Sequence, residues 1–127
     1  MKKIILSLTL TAMASFASET TITATMSLME EGLSQVQKGF LYNSQSDIVR
    51  GVETIESANS IFTHVDVSTF IKNNSKIQVT KNINANLTKH LAALKTDVKA
   101  KKFTDASVQY AKVVNDCVSC HTIIRGW

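Results

Sequence analysis

Apolar residues recur every three or four positions along four stretches of this chain, which is the spacing of one face of an α-helix. The four predicted faces are Ile22, Met26, Met29, Leu33, Val36 and Phe40; Ile48, Val52, Ile55 and Ile61 or Phe62; Val79, Ile83, Leu87, Leu91, Leu94 and Val98; and Ala106, Tyr110, Val113, Cys117, Cys120 and Ile124. The four faces extend over 14 to 20 residues each. The pattern therefore predicts four amphipathic helices.

The segments between the predicted helices are mostly short and polar. Asn43-Ser44 ends the first helix, and Ser46 or Asp47 is the predicted cap of the second. From Thr63 to Asn74 the periodicity is lost, so we expect irregular backbone there. Thr104 is the predicted cap of the fourth helix. Short connections between amphipathic helices predict an all-α protein, an antiparallel four-helix bundle.

Composition supports an all-helical domain. The 127 residues include 4 Gly and no Pro, which argues against a turn-dense β-sandwich. The 2 Cys are too few for a small protein built on disulfides. The lysines form no run long enough to bind nucleic acid.

The amino terminus has the pattern of a secretory signal peptide. Met1-Lys2-Lys3 is followed by an uncharged apolar run and then by the small residues Ser15 and Ala17. We expect residues 1–17 to be removed, with cleavage after Ala14 as the next choice, leaving residues 18–127 as one periplasmic domain. The run is shorter than the about 20 residues that span a bilayer, so no membrane insertion of the mature chain is expected. Loss of Lys2 and Lys3 lowers the formal net charge from +4 to +2.

The string Cys117-Val118-Ser119-Cys120-His121 carries the chemistry. Cys-x-x-Cys-His is the attachment signature of c-type haem. Two thiols add to the two haem vinyl groups, and residues three apart on a helix are neighbours that can meet one porphyrin edge. The imidazole of the next residue can bind the iron. We predict one haem c per chain, held by thioether bonds from Cys117 and Cys120, with His121 as the proximal iron ligand.

The same residues are also found in three other kinds of site. A thioredoxin-like dithiol belongs at a helix amino terminus, whereas this pair lies near a carboxyl end. A structural disulfide suits an oxidising compartment, but a helix holds the two Cβ atoms awkwardly for it. A zinc site needs a fourth ligand, for which His64 and His90 are the available imidazoles.

With this motif in the last of four predicted helices, the chain resembles the class II c-type cytochromes, which include cytochrome c′ and low-spin relatives of the cytochrome c-556 type. Only the motif region of the resemblance is specific. Family members carry a basic residue four positions after the haem histidine, a position held here by Arg125, while Ile124 replaces the usual tyrosine. The resemblance gives Arg125 a contact with a haem propionate or with the proximal imidazole; the alternative is a solvated arginine at the chain end.

The resemblance also implies where the second iron ligand lies. In this family the distal residue comes from the first helix and is a methionine in low-spin members and usually aliphatic in cytochrome c′. The family pattern puts Met26 at that position, and Met29, one turn later, is the less favoured candidate. A thioether ligand favours reduced iron. The alternative is that both methionines are ordinary core side chains.

The leading hypothesis is an exported monohaem cytochrome that acts in one-electron transfer with His121 and Met26 as axial ligands. It is not expected to be an enzyme, because no acid, base or nucleophile cluster is recognised and the Asp and Glu residues are interpreted as solvated surface charges. One alternative is a high-spin, five-coordinate cytochrome c′ that binds nitric oxide or carbon monoxide; another is a haem-free exported bundle that binds metal or acts as a dithiol. The expected partners are redox proteins that dock transiently. The resemblance further implies a homodimer, for which Leu28 and Leu41 lie off the main apolar face.

Overall fold

The computed structural model describes the backbone of residues 2–64 and 76–125, and the side chains of residues 21–64 and 76–124. Over these residues the protein consists of four α-helices and contains no strand: α1 (Lys2–Leu41), α2 (Gln45–His64), α3 (Ile77–Lys99) and α4 (Phe103–Arg125). The all-α prediction is confirmed. None of these helices, where described, combines the length and the apolar content needed to cross a membrane.

Helices α1 and α2 form an antiparallel hairpin in which the two backbones touch. Gly32 lies opposite Ile55 and Gly39 lies opposite Ile48, so residue numbers rise on one helix as they fall on the other. A Cβ atom added at Gly51 would lie 2.6 Å from the carbonyl oxygen of Gly32. Because any side chain at that position would overlap the facing backbone, glycine allows this close packing.

Helix α3 packs antiparallel on α2 through polar and charged contacts. Asn59 Nδ2 donates a hydrogen bond to Thr88 Oγ1 at 3.1 Å, and Lys95 Nζ donates to Glu56 Oε2 at 3.0 Å. The earlier residue of α2 thus meets the later residue of α3. These two pairs fix the register of α3 against α2.

Helix α4 returns along α3 and also contacts α1. Its Asp116 is joined to His90 of α3, and its Tyr110 ring lies 5.7 Å, centroid to centroid, from the ring of Phe40 in α1. Each helix therefore has two antiparallel neighbours. This arrangement is consistent with the predicted antiparallel four-helix bundle.

The cap predicted for α2 was wrong by two to three residues. Asn43 adopts a left-handed backbone with φ 55°, which ends α1 as the sequence predicted. The helix then restarts at once, and the backbone N–H of Asp47 donates to Ser44 Oγ at 3.3 Å. Ser44, and not Ser46 or Asp47, is therefore the N-cap, because the backbone turns back into helix directly after Asn43.

Two other helix ends also differ from the prediction. α4 begins at Phe103, so Thr104 lies inside its first turn and does not cap it; the left-handed backbone at Lys101 (φ 59°) lets the chain re-enter a helix earlier. α2 continues through Thr63 and His64, where irregular backbone was expected. The rest of the predicted irregular segment lies outside the described residues.

The two ends of the four-helix arrangement are packed differently. We call the end with the connections at 42–44 and 100–102 the turn end, and the end where α4 finishes the motif end. Toward the turn end the apolar side chains of the core are fully buried, and they include Val36, Ile48, Val52, Leu94, Val98 and Ala106. At the motif end many apolar side chains are only half-buried: Ile22, Met26, Ile61, Phe62, Ile83, Cys117, Cys120, Ile123 and Ile124.

Candidate functional site

The predicted attachment residues lie together near the carboxyl end of α4. Cys117 and Cys120 are both free thiols, so the structure contains no disulfide between them. Both are half-buried, as is His121. Residues three apart on a helix have Cβ atoms about 5–6 Å apart, so the thiols are neighbours on one side of the helix.

Burial keeps both thiols in their protonated form. It raises the pKa of Cys117 from 9.0 to about 11, and the negative charge of Asp116 adds to this effect. Burial also raises the pKa of Cys120. A catalytic dithiol needs the opposite shift, because the thiolate is the nucleophile. The environment of the pair thus disfavours the thioredoxin-like alternative.

The thiol of Cys117 lies on the side of α4 that faces α1. Tyr110 occupies the same stripe about two turns earlier. Its hydroxyl oxygen lies 3.5 Å from the carbonyl oxygen of Leu33 in α1. Burial raises the pKa of Tyr110, and the nearby Cys117 adds to this shift, which places the two side chains on a common face.

The pairs between helices place Met26 near the level of the Cys-x-x-Cys-His motif, within about one turn of Cys117. The contact between Leu33 and Tyr110 fixes one point of the register. Because the helices are antiparallel, moving two turns, or about 10 Å, toward the motif end leads from Leu33 to Met26 on α1 and from Tyr110 to Cys117 on α4. The pairs that link α1 to α2, α2 to α3 and α3 to α4 lead around the bundle from Met26 to Cys120, one turn beyond Cys117 toward the motif end.

Met29 has a different environment from Met26. It lies one turn before Gly32, on the side of α1 that approaches α2, and only 8% of its surface is exposed. Met26 is half-buried and packs at the edge of the core. Of the two methionines, Met26 is the one on the α4 side of α1.

The described side chains between α1 and α4 are mostly apolar. Among the described residues, α1 packs closely on α2 and α4 on α3, whereas α1 and α4 approach each other at few points. The apolar faces of α1 and α4 contribute Val113, which is buried, and Leu33, Tyr110 and Ile124, which are half-buried. A porphyrin needs such apolar cover on its faces. The residues present therefore fit a haem.

A buried carboxylate beside the motif, in contact with a histidine of α3, was missed by the sequence interpretation. Asp116 was counted among the solvated charges, which is wrong: it is 7% exposed, and its Oδ2 atom lies 2.6 Å from Nδ1 of His90. The spacing of His90 and Asp116 along their helices already indicated that both lie on apolar faces. His90 lies three residues after Leu87 on the apolar face of α3, and Asp116 lies three residues after Val113 on that of α4.

The zinc alternative gains no ligand set in the part of the chain that the structure describes. No three His, Cys, Asp or Glu side chains there are grouped to hold a metal ion. His90 is engaged by Asp116, and His64, exposed at the end of α2, has its Nδ1 atom 2.8 Å from the carbonyl oxygen of Ser60. Haem iron needs no such cluster, since the porphyrin supplies four of its ligands.

Other predicted residues stand apart from this region. The side chain of Arg125 and the side chains of residues 1–17 lie outside the described residues, so their predicted roles remain predictions. Leu28 and Leu41, the candidates for a dimer contact, are exposed on α1.

Comparison with known proteins identifies no relative. No protein-family model matches the chain, and neither a curated protein nor a solved structure matches it.

Proposed function

We propose that this protein is an exported monohaem c-type cytochrome of the class II kind that transfers single electrons between periplasmic redox proteins. Cys117 and Cys120 would hold the haem by thioether bonds, and His121 and Met26 would supply the protein ligands of its iron. When bound, the haem supplies a centre that gains and loses one electron. One observation carries the proposal: the two thiols of the Cys-x-x-Cys-His motif are unpaired and half-buried near the end of the last of four helices.

The surrounding residues exclude water and hold the two iron ligands in place. Tyr110 joins α4 to α1 through Phe40 and the Leu33 carbonyl, about two turns from the motif. This contact ties α4 to α1, the two helices that carry the proposed iron ligands. Fixed ligands on both sides limit the structural change when an electron is gained or lost, and a thioether ligand raises the reduction potential.

The signal peptide and the thiols support the same function. Attachment of a c-type haem takes place after export, and the protonated, unpaired thiols of Cys117 and Cys120 are in the state from which a thioether forms. The four antiparallel helices with the motif in the last one support the class II resemblance. No enzymatic activity is proposed.

The first test is to produce the full chain in a bacterium with c-type haem ligation machinery and to stain for haem after denaturing electrophoresis. We expect the colour to migrate with the chain, because thioether bonds survive denaturation. The absorption spectrum should be low-spin, with a weak sulfur-to-iron band in the far red.

The Met26→Leu variant tests the distal ligand. It should turn the spectrum high-spin and allow carbon monoxide to bind, because leucine has no donor atom. Met29→Leu is the matched control, with the same replacement one turn away in the core, and should leave the spectrum low-spin. A change in Met29→Leu alone would move the ligand to Met29. A wild-type spectrum that is already high-spin and responds to carbon monoxide would instead support a cytochrome c′.

A further inference from the structure

We infer that the buried carboxylate of Asp116, held by His90, lowers the reduction potential of the haem. This inference rests on the proposed function. The carboxylate directly precedes Cys117 and lies one turn before Cys120, so it is placed beside both attachment points. Asp116 is buried, and His90 of the neighbouring helix holds its Oδ2 atom at 2.6 Å.

The direction of the effect follows from charge. A carboxylate near the haem stabilises the oxidised state, which carries one more positive charge than the reduced state. Burial strengthens this interaction, since the effective dielectric constant there is lower than in water. The electron itself comes from the redox partner, and no bond in the pair forms or breaks when it arrives.

The electrostatic effect of Asp116 already reaches the sulfur of Cys117. Its charge contributes, after burial, to the raised pKa of that thiol. Other charged side chains near the pair, Lys89 on α3 and Lys112 on α4, are exposed to water. Solvent and salt screen exposed charges much more than buried ones. Of these three charged side chains, Asp116 is therefore the one whose charge is screened least.

The test compares Asp116→Asn with Asp105→Asn in the haem-loaded protein. Asparagine has nearly the size of aspartate and can still accept a hydrogen bond from His90, so the first variant removes mainly the charge. The second makes the same change in the exposed first turn of α4, about 16 Å away along the helix. We expect Asp116→Asn to shift the reduction potential to a more positive value and Asp105→Asn to leave it near that of the wild type.

A second measurement needs no haem. In the unloaded chain, the rate of Cys117 alkylation by iodoacetamide as a function of pH reports the thiol pKa, with a Cys120→Ser background to isolate one thiol. Asp116→Asn should lower that pKa, and Asp105→Asn should not change it. If Asp116→Asn does not fold, the double variant His90→Gln with Asp116→Asn replaces the pair by two neutral, hydrogen-bonding side chains and serves in both measurements.

Two results would overturn the inference. One is a potential that is the same in Asp116→Asn and Asp105→Asn; the other is a Cys117 pKa that does not respond to Asp116. A haem-loaded protein with either result would leave the proposed function intact. A wild-type chain that acquires no haem would overturn both, and the staining experiment would show this before any potential is measured.

Discussion

The turn end and the motif end of this protein are built from the same helices but are packed in opposite ways. At the turn end, aliphatic side chains such as Leu94 and Val98 are fully buried. At the motif end, apolar residues at equivalent helix positions, such as Ile83, are half-buried. The buried carboxylate of Asp116, in contact with His90, also lies toward the motif end.

The difference indicates that the turn end stabilises the helices, whereas the motif end has apolar surface that a ligand can cover. Burial of apolar surface is the main favourable term in folding, so the turn end supplies most of it. The motif end exposes apolar surface that a haem would cover, which is typical of a binding region. Under this account, attachment of the group completes the core.

The largest expected effect comes from truncating one side chain at each end of α3. Leu94→Ala should lower the free energy of unfolding of the haem-free protein by about 3 kcal/mol, because the change leaves a cavity where the side chain was fully buried. Ile83→Ala, on the same face three turns earlier, should cost about 1 kcal/mol, since that side chain is already half-exposed. Urea unfolding followed by circular dichroism measures both.

Haem attachment sharpens this comparison. The cost of Ile83→Ala should increase in the loaded protein and approach that of Leu94→Ala, because the haem would then cover Ile83. Equal costs in the haem-free chain would contradict the difference between the two ends.

The next effect concerns the reactivity of Cys117 in the haem-free chain. With its pKa raised from 9.0 to about 11, the thiolate fraction at pH 8 should be about a hundredfold lower in the folded than in the unfolded chain. Alkylation should be slower by a similar factor in buffer than in urea. A folded chain that reacts as fast as the unfolded one would show that the thiol is not buried.

The same shift predicts how stability depends on pH. The folded-state pKa lies above the unfolded one, so the contribution of the protonated thiol to stability is fully present below pH 9.0 and is lost as pH rises toward about 11. Cys117→Ser should reduce this loss. In the loaded protein neither cysteine should react, since both sulfurs would be thioethers.

A smaller effect is expected from the close approach of α1 and α2 at the turn end. A Cβ at Gly39 would lie 2.6 Å from the backbone nitrogen of Ile48 and 2.9 Å from the carbonyl oxygen of Ser44. Gly39→Ala should therefore destabilise the protein by about 2 kcal/mol, in spite of the higher helix propensity of alanine. Lys38→Ala, an exposed change at the preceding position, should alter the melting temperature little. Equal melting temperatures would contradict the close packing at this end.

The sequence predicted most of the helices because their apolar periodicity is strong. Residues such as Val36, Ile55 and Leu91 fall on the predicted faces and are buried. The exact caps were harder, because Ser44, Ser46 and Asp47 all have side chains that can cap a helix. Only the left-handed turn at Asn43 decides which of them is used.

The candidate site could be predicted in chemistry but only partly in geometry. The motif gave Cys117, Cys120 and His121 directly, since their spacing is local. The level of Met26 depends on the register of α1 against α4, which Tyr110 and Leu33 set across the bundle. The burial of Asp116 was missed because it depends on a partner, His90, that lies on another helix.

The most direct test of the central claim is the intact mass of the mature protein after denaturation, made with haem ligation machinery. The account predicts a chain that begins after Ala17 and is heavier than its sequence by one haem. The variant with Cys117→Ser and Cys120→Ser should have only the mass of its polypeptide. A wild-type mass equal to that of the polypeptide alone would contradict the claim that this chain is a c-type cytochrome.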